Sequence, residues 1–268
     1  MSVVSRISAG FLVVVLVLLA LSLYMAERNL DEQQRLVAGG DFEGAIEKVQ
    51  LAARLAPFSS EPLQEEAQLL QRQGRIKEAE DALRRAIRRD PRNYTSYLLL
   101  AQLQASRLND YAAAEETYRN LLEINPNSTE ASAGLAQVLL RQGDLEGAKR
   151  QYEKLRETET VSLQGLYDLG RIYIRTGEPE EAVQTLVAAR ELALAGLGSL
   201  DAPEWQQRIE FIESIDLSIA DALVVQERYA EAREIVAGNP SEQAPAILAL
   251  LDTDPEMYRQ SVLNSEIY

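Results

Sequence analysis

Apolar residues follow two different patterns along this chain. Ile7–Met25 is one unbroken apolar run, whereas from Ala26 onward apolar residues recur at spacings of three and four. Such spacing places apolar side chains on one face of a helix. The strong helix formers Ala, Leu, Glu, Gln and Arg are abundant, and no alternating run of Val and Ile follows the first segment. The pattern predicts an all-α fold.

The N-terminal run has the length and composition of a transmembrane helix. Ile7–Met25 carries no charge, and as a helix it would span about 28 Å, close to the roughly 30 Å hydrocarbon core of a bilayer. Arg6 precedes the run and acidic residues follow it. The positive-inside rule therefore favours a cytoplasmic N-terminus and an extracytoplasmic remainder, on the periplasmic or cell-surface side. We predict a single-pass membrane protein.

A cleaved signal peptide is the main alternative for this segment. Ala20 and Ser22 provide small residues at the spacing of a cleavage site. The apolar run is long for a signal core, however, and Tyr24 and Met25 beyond that site are large. An uncleaved anchor is favoured. A buried core helix fits less well, because the run is apolar on every face.

The rest of the chain contains a repeated pattern: a turn, usually with glycine, followed by the start of a helix whose early residues include an alanine. Consecutive copies are thirty-four or thirty-five residues apart, and the last follows a longer insertion. Small residues at these positions allow two helices to approach closely. The copies begin at Gly40, Gly74, Asn109, Gly143, Gly177 and Glu227, and their alanines are Ala45, Ala79, Ala114, Ala148, Ala182 and Ala232.

The pattern resembles the tetratricopeptide repeat family. Two first helices carry that family's Leu-Gly and Tyr positions as Leu135-Ala136 with Leu139 and as Leu169-Gly170 with Tyr173. The resemblance covers roughly residues 26–238. It implies a right-handed α-solenoid of about six helix pairs, in which the first helices line a concave groove.

This resemblance and the N-terminal run together predict three regions. Residues 1–25 form the transmembrane anchor, and residues 26–195 form a solenoid of five repeats. Residues 196–268 contain an insertion, a sixth repeat and C-terminal capping helices. In the insertion, Asp201 is expected to cap a helix that includes Trp205, the only tryptophan. We expect Trp205 to pack in the core or between repeats.

Composition limits the chemistry that this chain can perform. The net charge is −15 and the pI about 4.6, which disfavours nucleic-acid binding because phosphate backbones are repelled. The absence of cysteine and histidine excludes disulfides, Cys–His dyads, the Ser–His–Asp triad and zincin motifs. No glycine-rich phosphate loop is present. We predict no catalytic residues, no metal site and no cofactor, and hence a protein that is not an enzyme.

One basic cluster contrasts with this acidic composition. Arginines are concentrated between positions 84 and 92, with Arg72, Arg75 and Lys77 nearby, and two acids, Glu78 and Asp81, lie among these basic residues. The favoured interpretation is a solvated helix face on which these acids pair with the arginines. The alternative is a surface that docks to an acidic protein or to anionic lipid headgroups.

The groove implied by the resemblance gives a more specific hypothesis. Alignment by the repeat period places three glutamines and an arginine at equivalent positions on successive first helices, and three further arginines one helical turn later. Side-chain amides can bond to an extended peptide backbone, and guanidinium groups can hold carboxylates. The alternative is that these residues are polar only because the groove is wet. The predicted binding residues are Gln68, Arg72, Gln102, Gln137, Arg141, Tyr167, Arg171 and Arg175.

The leading functional hypothesis is a non-catalytic scaffold or adaptor. The chain is similar to membrane-tethered tetratricopeptide proteins of bacterial envelopes, which implies protein partners, either subunits of a membrane complex or acidic peptide segments. The anchor Ile7–Met25 would hold it to the membrane. The alternatives are a structural accessory subunit of a large membrane complex and a regulator with its repeats in the cytoplasm.

Overall fold

The computed structural model of the protein describes residues 3–265, with side chains from Leu12 onward. Over that range it is all α-helical, without a β-strand, and it forms two compact units divided between Ala131 and Ser132. The helices are α1 (Val3–Ala38), α2 (Phe42–Leu55), α3 (Glu61–Arg72), α4 (Ile76–Arg89), α5 (Tyr94–Leu103), α6 (Tyr111–Ile124), α7 (Thr129–Arg141), α8 (Leu145–Glu157), α9 (Leu163–Thr176), α10 (Pro179–Ala195), α11 (Ala202–Val225), α12 (Tyr229–Gly238), α13 (Ala244–Thr253) and α14 (Pro255–Asn264).

In the first unit, consecutive helices pack as pairs: α1 with α2, α3 with α4, and α5 with α6. Small and large apolar residues alternate in the interior, as the close approach of paired helices requires. A π-helical segment, Gln104–Leu108, extends α5. One buried cluster of this unit includes Ala45, Val49, Ala67, Leu70, Ala79, Leu83 and Leu103.

Helix α1 serves two purposes along its length. Its C-terminal part packs on α2, where Ala26 is buried against Ala52 and Ala56. Its preceding residues expose large apolar side chains from Leu12 to Met25. Within the segment Leu12–Ala38, an 18-residue window reaches a mean hydropathy of 1.8, so this part of the helix is long and apolar enough to cross a membrane. The helix is continuous between these two parts.

The second unit has the same organisation. Helix α9 packs on α8 and α10, α11 packs on α10 and α12, and α14 packs on α11 and α13. Gly170 allows the close approach of α9 and α10, since a Cβ atom there would lie 2.4 Å from Cγ of Leu186. The largest fully buried side chains include Tyr152, Leu169, Ile172, Tyr173, Leu186 and Ile215.

Backbone conformation confirms the repeat register. Gly40, Gly74, Gly143 and Gly177 have φ between +75° and +83° at the turns between paired helices. Asn109 and Glu227 adopt the same left-handed conformation, with φ of +53° and +61°, although such backbone favours glycine. The six predicted alanines are all 0% exposed. All six copies therefore form the predicted turn and close helix contact.

One core prediction was wrong. Trp205 is 44% exposed, because it lies in the first turns of α11, ahead of Ile212, the first buried residue of that helix. The predicted cap is confirmed: Asp201 Oδ1 accepts a hydrogen bond from the Glu204 backbone N–H at 3.0 Å. The predicted C-terminal helices are also present, as α13 and α14.

Candidate functional site

The eight predicted binding residues divide between the two units. Gln68 and Arg72 on α3 and Gln102 on α5 lie in the first unit, and all three are exposed. The other five lie in the second unit. Gln137 and Arg141 on α7 are exposed, whereas Tyr167, Arg171 and Arg175 on α9 are partly buried. Each set is accessible from solvent within its own unit.

Helix α9 brings three of these residues onto one face. Tyr167, Arg171 and Arg175 are spaced four apart, which places their side chains in a row along the helix. Ile172 and Tyr173, on the other side of α9, are buried. The polar row therefore results from the same helical periodicity that buries the opposite side.

Two aromatic rings support the central arginine of this row. The Arg171 guanidinium carbon lies 5.5 Å from the Tyr167 ring centroid, a distance at which cation and ring attract. The Tyr167 ring meets that of Phe211 edge-on at 5.1 Å, and Ser218 Oγ donates a hydrogen bond to Tyr167 Oη at 3.4 Å. Tyr167 is thus held in place beneath the guanidinium group.

The donors of Arg171 and Arg175 are largely unused. Within residues 12–265, Arg171 makes no hydrogen bond and no ion pair, and Nη1 of Arg175 is buried without a hydrogen-bond partner. A guanidinium group has five N–H donors in a fixed planar arrangement that matches a carboxylate. The donors of Arg171 are therefore suited to an anionic or carbonyl-bearing ligand, whereas Nη1 of Arg175 is covered by the fold.

A buried acid lies behind the row. Asp168 is 3% exposed and accepts hydrogen bonds from the Tyr152 hydroxyl at 3.0 Å and from Gln164 Nε2 at 2.9 Å. Burial raises its pKa, while these two hydrogen bonds and the charges of Arg171 and Arg141 oppose the rise. Asp168 therefore stabilises the arginine row electrostatically from inside the fold.

The row borders a cavity of about 550 Å³ between α9, α11, α13 and α14. Its wall includes Tyr167 and Arg171, which the sequence predicted, and Leu217, Asp221 and Tyr258, which it missed. Leu217 and Asp221 follow Tyr167 and Arg171 by fifty residues, the same separation as Gly177 and Glu227. The period extended across the insertion could have identified them, whereas Tyr258 lies outside the repeats.

Asp221 is the acidic counterpart of Arg171 in this cavity. It accepts a hydrogen bond from the Tyr258 hydroxyl. Burial raises the pKa of Asp221 to about 6, and the Tyr258 hydrogen bond and the Arg171 charge limit the rise. Glu210 and Glu213 also line the cavity. The site can therefore hold a carboxylate at Arg171 while its acidic walls accept N–H groups of the same ligand.

The basic cluster on α4 has a different environment. Arg84 pairs with Glu80 at 2.7 Å and reaches Asp81 at 4.0 Å, and Arg85 pairs with the buried Glu66 at 2.8 Å. Glu78 pairs with Arg75 at 2.7 Å. The expected pairing of Glu78 and Asp81 with arginines is confirmed.

Paired antiparallel helices joined by left-handed turns define a helical-repeat protein. Family models for the tetratricopeptide repeat match residues 65–129, 105–164 and 166–197. The chain is thus a tetratricopeptide repeat protein over these segments. No curated protein matches its sequence.

Solved structures confirm this fold. MamA is similar with a TM-score of 0.57 and 20% identity, over 66% of this chain and 97% of MamA. PilW, described as a widely conserved type IV pilus biogenesis factor, gives 0.53 and 16%, over 83% and 98%. YrrB, described as a tetratricopeptide protein with an unusual peptide-binding site, gives 0.51 and 21%, over 61% and 84%. Identities this low establish the fold alone.

Proposed function

We propose that this chain is a membrane-anchored, non-catalytic adaptor that holds a partner protein on the first-helix face of its second unit. The observation that carries the proposal is the environment of Arg171. Its guanidinium group is oriented by Tyr167, borders an open cavity and makes no hydrogen bond within the described residues. An oriented but unused cation loses little conformational entropy when it binds a carboxylate.

The partner segment is an extended peptide that carries a carboxylate, either an acidic side chain or a C-terminus. Arg171 would bind this carboxylate, assisted by Arg175 one turn further along α9 and by Arg141 on α7, while Gln137 on α7 would bond to the peptide backbone. The peptide-binding site named in the description of YrrB supports this use of the fold. Gln68, Arg72 and Gln102 would form a separate contact on the first unit.

The anchor would place this binding face beside a membrane complex. Helix α1 crosses the membrane with its N-terminus in the cytoplasm, and both units lie on the extracytoplasmic side. The apolar side chains exposed from Leu12 to Met25 support the anchor. A reporter that is active only outside the cytoplasm should be active when it is fused after Tyr268. If a reporter that is active only in the cytoplasm is active there instead, the topology is the opposite of the one proposed.

Site-specific photo-cross-linking in native membranes tests the binding face. Gln137 and Gln184 are both exposed glutamines in the second unit, on a first helix and a second helix respectively. A photoreactive residue at Gln137 should capture a partner that the same residue at Gln184 does not capture. Capture from Gln184 alone would show that the partner contacts the second helices, and it would refute the proposed site.

A structural accessory subunit of a large membrane complex is the second candidate. This function is favoured by the continuity of α1 from its exposed apolar part into the first helix pair. A continuous helix would connect the first unit rigidly to neighbouring membrane helices. Mild detergent extraction followed by quantitative mass spectrometry distinguishes the two functions. A constant ratio to one set of membrane proteins indicates a subunit, whereas partners that exchange indicate an adaptor.

A further inference from the structure

One end of the first unit lies beside the apolar part of α1. Helix α2 runs antiparallel to α1: Lys48 pairs with Glu32 at 3.0 Å, and near the other end Ser22 Oγ donates a hydrogen bond to the Leu55 carbonyl oxygen at 2.6 Å. Ser22 lies inside the uncharged run that ends at Met25. The C-terminal end of α2 is therefore level with the last turn of the apolar segment.

The turn after α2 presents an apolar side chain at this level. Phe58, in the turn after Leu55, has 82% of its surface exposed, the largest exposed fraction among the big apolar side chains described. Tyr24 on α1 is 60% exposed. Tyrosine concentrates at the interface between a bilayer and water, and phenylalanine is common on the membrane-facing side of segments that lie in this interface. So exposed a side chain contributes little to the packing of the first unit.

The turn after α4 lies at the same end. Arg89 donates hydrogen bonds to the carbonyl oxygens of Ala53 at 3.0 Å and Ser59 at 3.2 Å. Asn93 Nδ2 donates to Ser60 Oγ at 2.8 Å. These bonds join the two turns, and Tyr94, directly after the second turn, is 50% exposed.

The charges at this end are mainly positive, in contrast to the whole chain. The last turns of α2 and α4 and the loop after α4 carry four arginines, and the same segments and the start of α3 carry two acids. Anionic lipid headgroups attract basic groups held within a Debye length of them. The arginines are Arg54, Arg88, Arg89 and Arg92, and the acids are Glu61 and Asp90.

We propose that this end of the first unit, formed by residues 54–61 and 88–94, rests on the headgroup layer of the membrane that α1 crosses. Phe58 inserts at the interface beside Tyr24, and the exposed Arg54, Arg88 and Arg92 contact anionic headgroups. This contact rests on the proposed anchoring by α1 and adds a second point of attachment. It restricts rotation of the first unit about α1, so that the unit keeps one orientation towards the membrane.

The test uses the full chain reconstituted in vesicles of phosphatidylcholine and phosphatidylglycerol, in a Trp205→Phe background that removes the only native tryptophan. Single tryptophans are introduced as Phe58→Trp, as Leu16→Trp in the anchor, and as Lys77→Trp. Lys77 is exposed near the start of α4, at the opposite end of that helix from Arg88. Brominated lipids then quench those tryptophans that contact the bilayer.

We expect strong quenching of Leu16→Trp and Phe58→Trp and none of Lys77→Trp. Quenching of Leu16→Trp without that of Phe58→Trp would overturn the interfacial contact and leave the anchor intact. Absence of quenching at Leu16→Trp would refute the anchor and this proposal with it.

Charge reversal tests the electrostatic part. Arg88→Glu with Arg92→Glu should reduce the quenching of Phe58→Trp several-fold in vesicles that contain phosphatidylglycerol, whereas the control Lys77→Glu should leave it unchanged. Equal quenching with and without the reversed charges would overturn the role given to the arginines.

Discussion

The arginines of α4 and those of α9 belong to the same residue type but have opposite environments. On α4, Arg84 and Arg85 are paired with Glu80 and Glu66. On α9, Arg171 lies on an aromatic ring without a hydrogen bond among the described residues, and Nη1 of Arg175 is buried and unpaired. The paired arginines stabilise the fold, whereas the guanidinium group of Arg171, which borders the cavity, is available to a ligand. Local density of positive charge in the sequence is therefore a poor guide to the proposed partner-binding site.

The largest effect is expected from removing the unpaired cation. Arg171→Gln should weaken binding of the partner by about tenfold to a hundredfold, the loss of a charge-assisted hydrogen-bond pair. The thermal midpoint should change little, because Arg171 makes no ion pair among residues 12–265. Isothermal titration with the captured partner segment and circular dichroism measure the two quantities. Unchanged affinity would remove Arg171 from the site.

A substitution at Gly170 tests the packing of α9 on α10 without changing any charge on α9. Gly170→Ala should destabilise the protein by about 1–3 kcal/mol through overpacking, because its Cβ would meet Leu186, which is 0% exposed. Denaturant unfolding measures this loss. The control is Gly198→Ala, where a Cβ would have open space. Equal stability of the two variants would contradict the close contact between α9 and α10.

On α4 the corresponding substitution should affect stability and not binding. Arg85→Ala should destabilise the protein by about 1–2 kcal/mol, because it leaves the buried Glu66 without its cation. Arg88→Ala, an exposed neighbour without an ion pair in the described structure, should change stability by less than about 0.5 kcal/mol. Indistinguishable unfolding curves for these two variants would mean that the Arg85–Glu66 pair contributes nothing.

The smallest effect concerns the acid opposite Arg171. The pKa of Asp221 is about 6 in the folded chain against an ordinary value of 3.8, so the folded state keeps a proton that the unfolded state has lost. Stability should therefore fall as pH rises from 3.8 to about 6. Because solvent screens this partly exposed group, the fall should amount to about 1 kcal/mol or less. The Asp221→Asn variant should not show it. Thermal midpoints of both proteins across this range provide the test, and parallel profiles would contradict the raised pKa.

The fold could be predicted because the features that determine each helix pair lie within its own stretch of sequence. A left-handed turn, a small residue and a helical period recur at nearly constant spacing, and a single helix pair has no other way to bury its apolar face. Trp205 was misplaced because the insertion lies outside this period, and large apolar residues are not always buried.

The site could be predicted only in part. The period identified Tyr167 and Arg171 as neighbours on one face, but it carries no information about their partners. The pairing of Arg85 with Glu66 and the contact of Tyr258 with Asp221 join residues from different helices. Such contacts depend on how helices pack, which sequence spacing alone does not specify.

Photo-cross-linking from Gln137 in the Arg171→Gln and Arg85→Gln backgrounds tests the central claim most directly. Both substitutions remove one positive charge from a helix of the repeats, and the cross-linker is the same. The account predicts that the captured partner is lost with Arg171→Gln and kept with Arg85→Gln. Equal yields in the two backgrounds would contradict the assignment of partner binding to the unpaired arginine of α9.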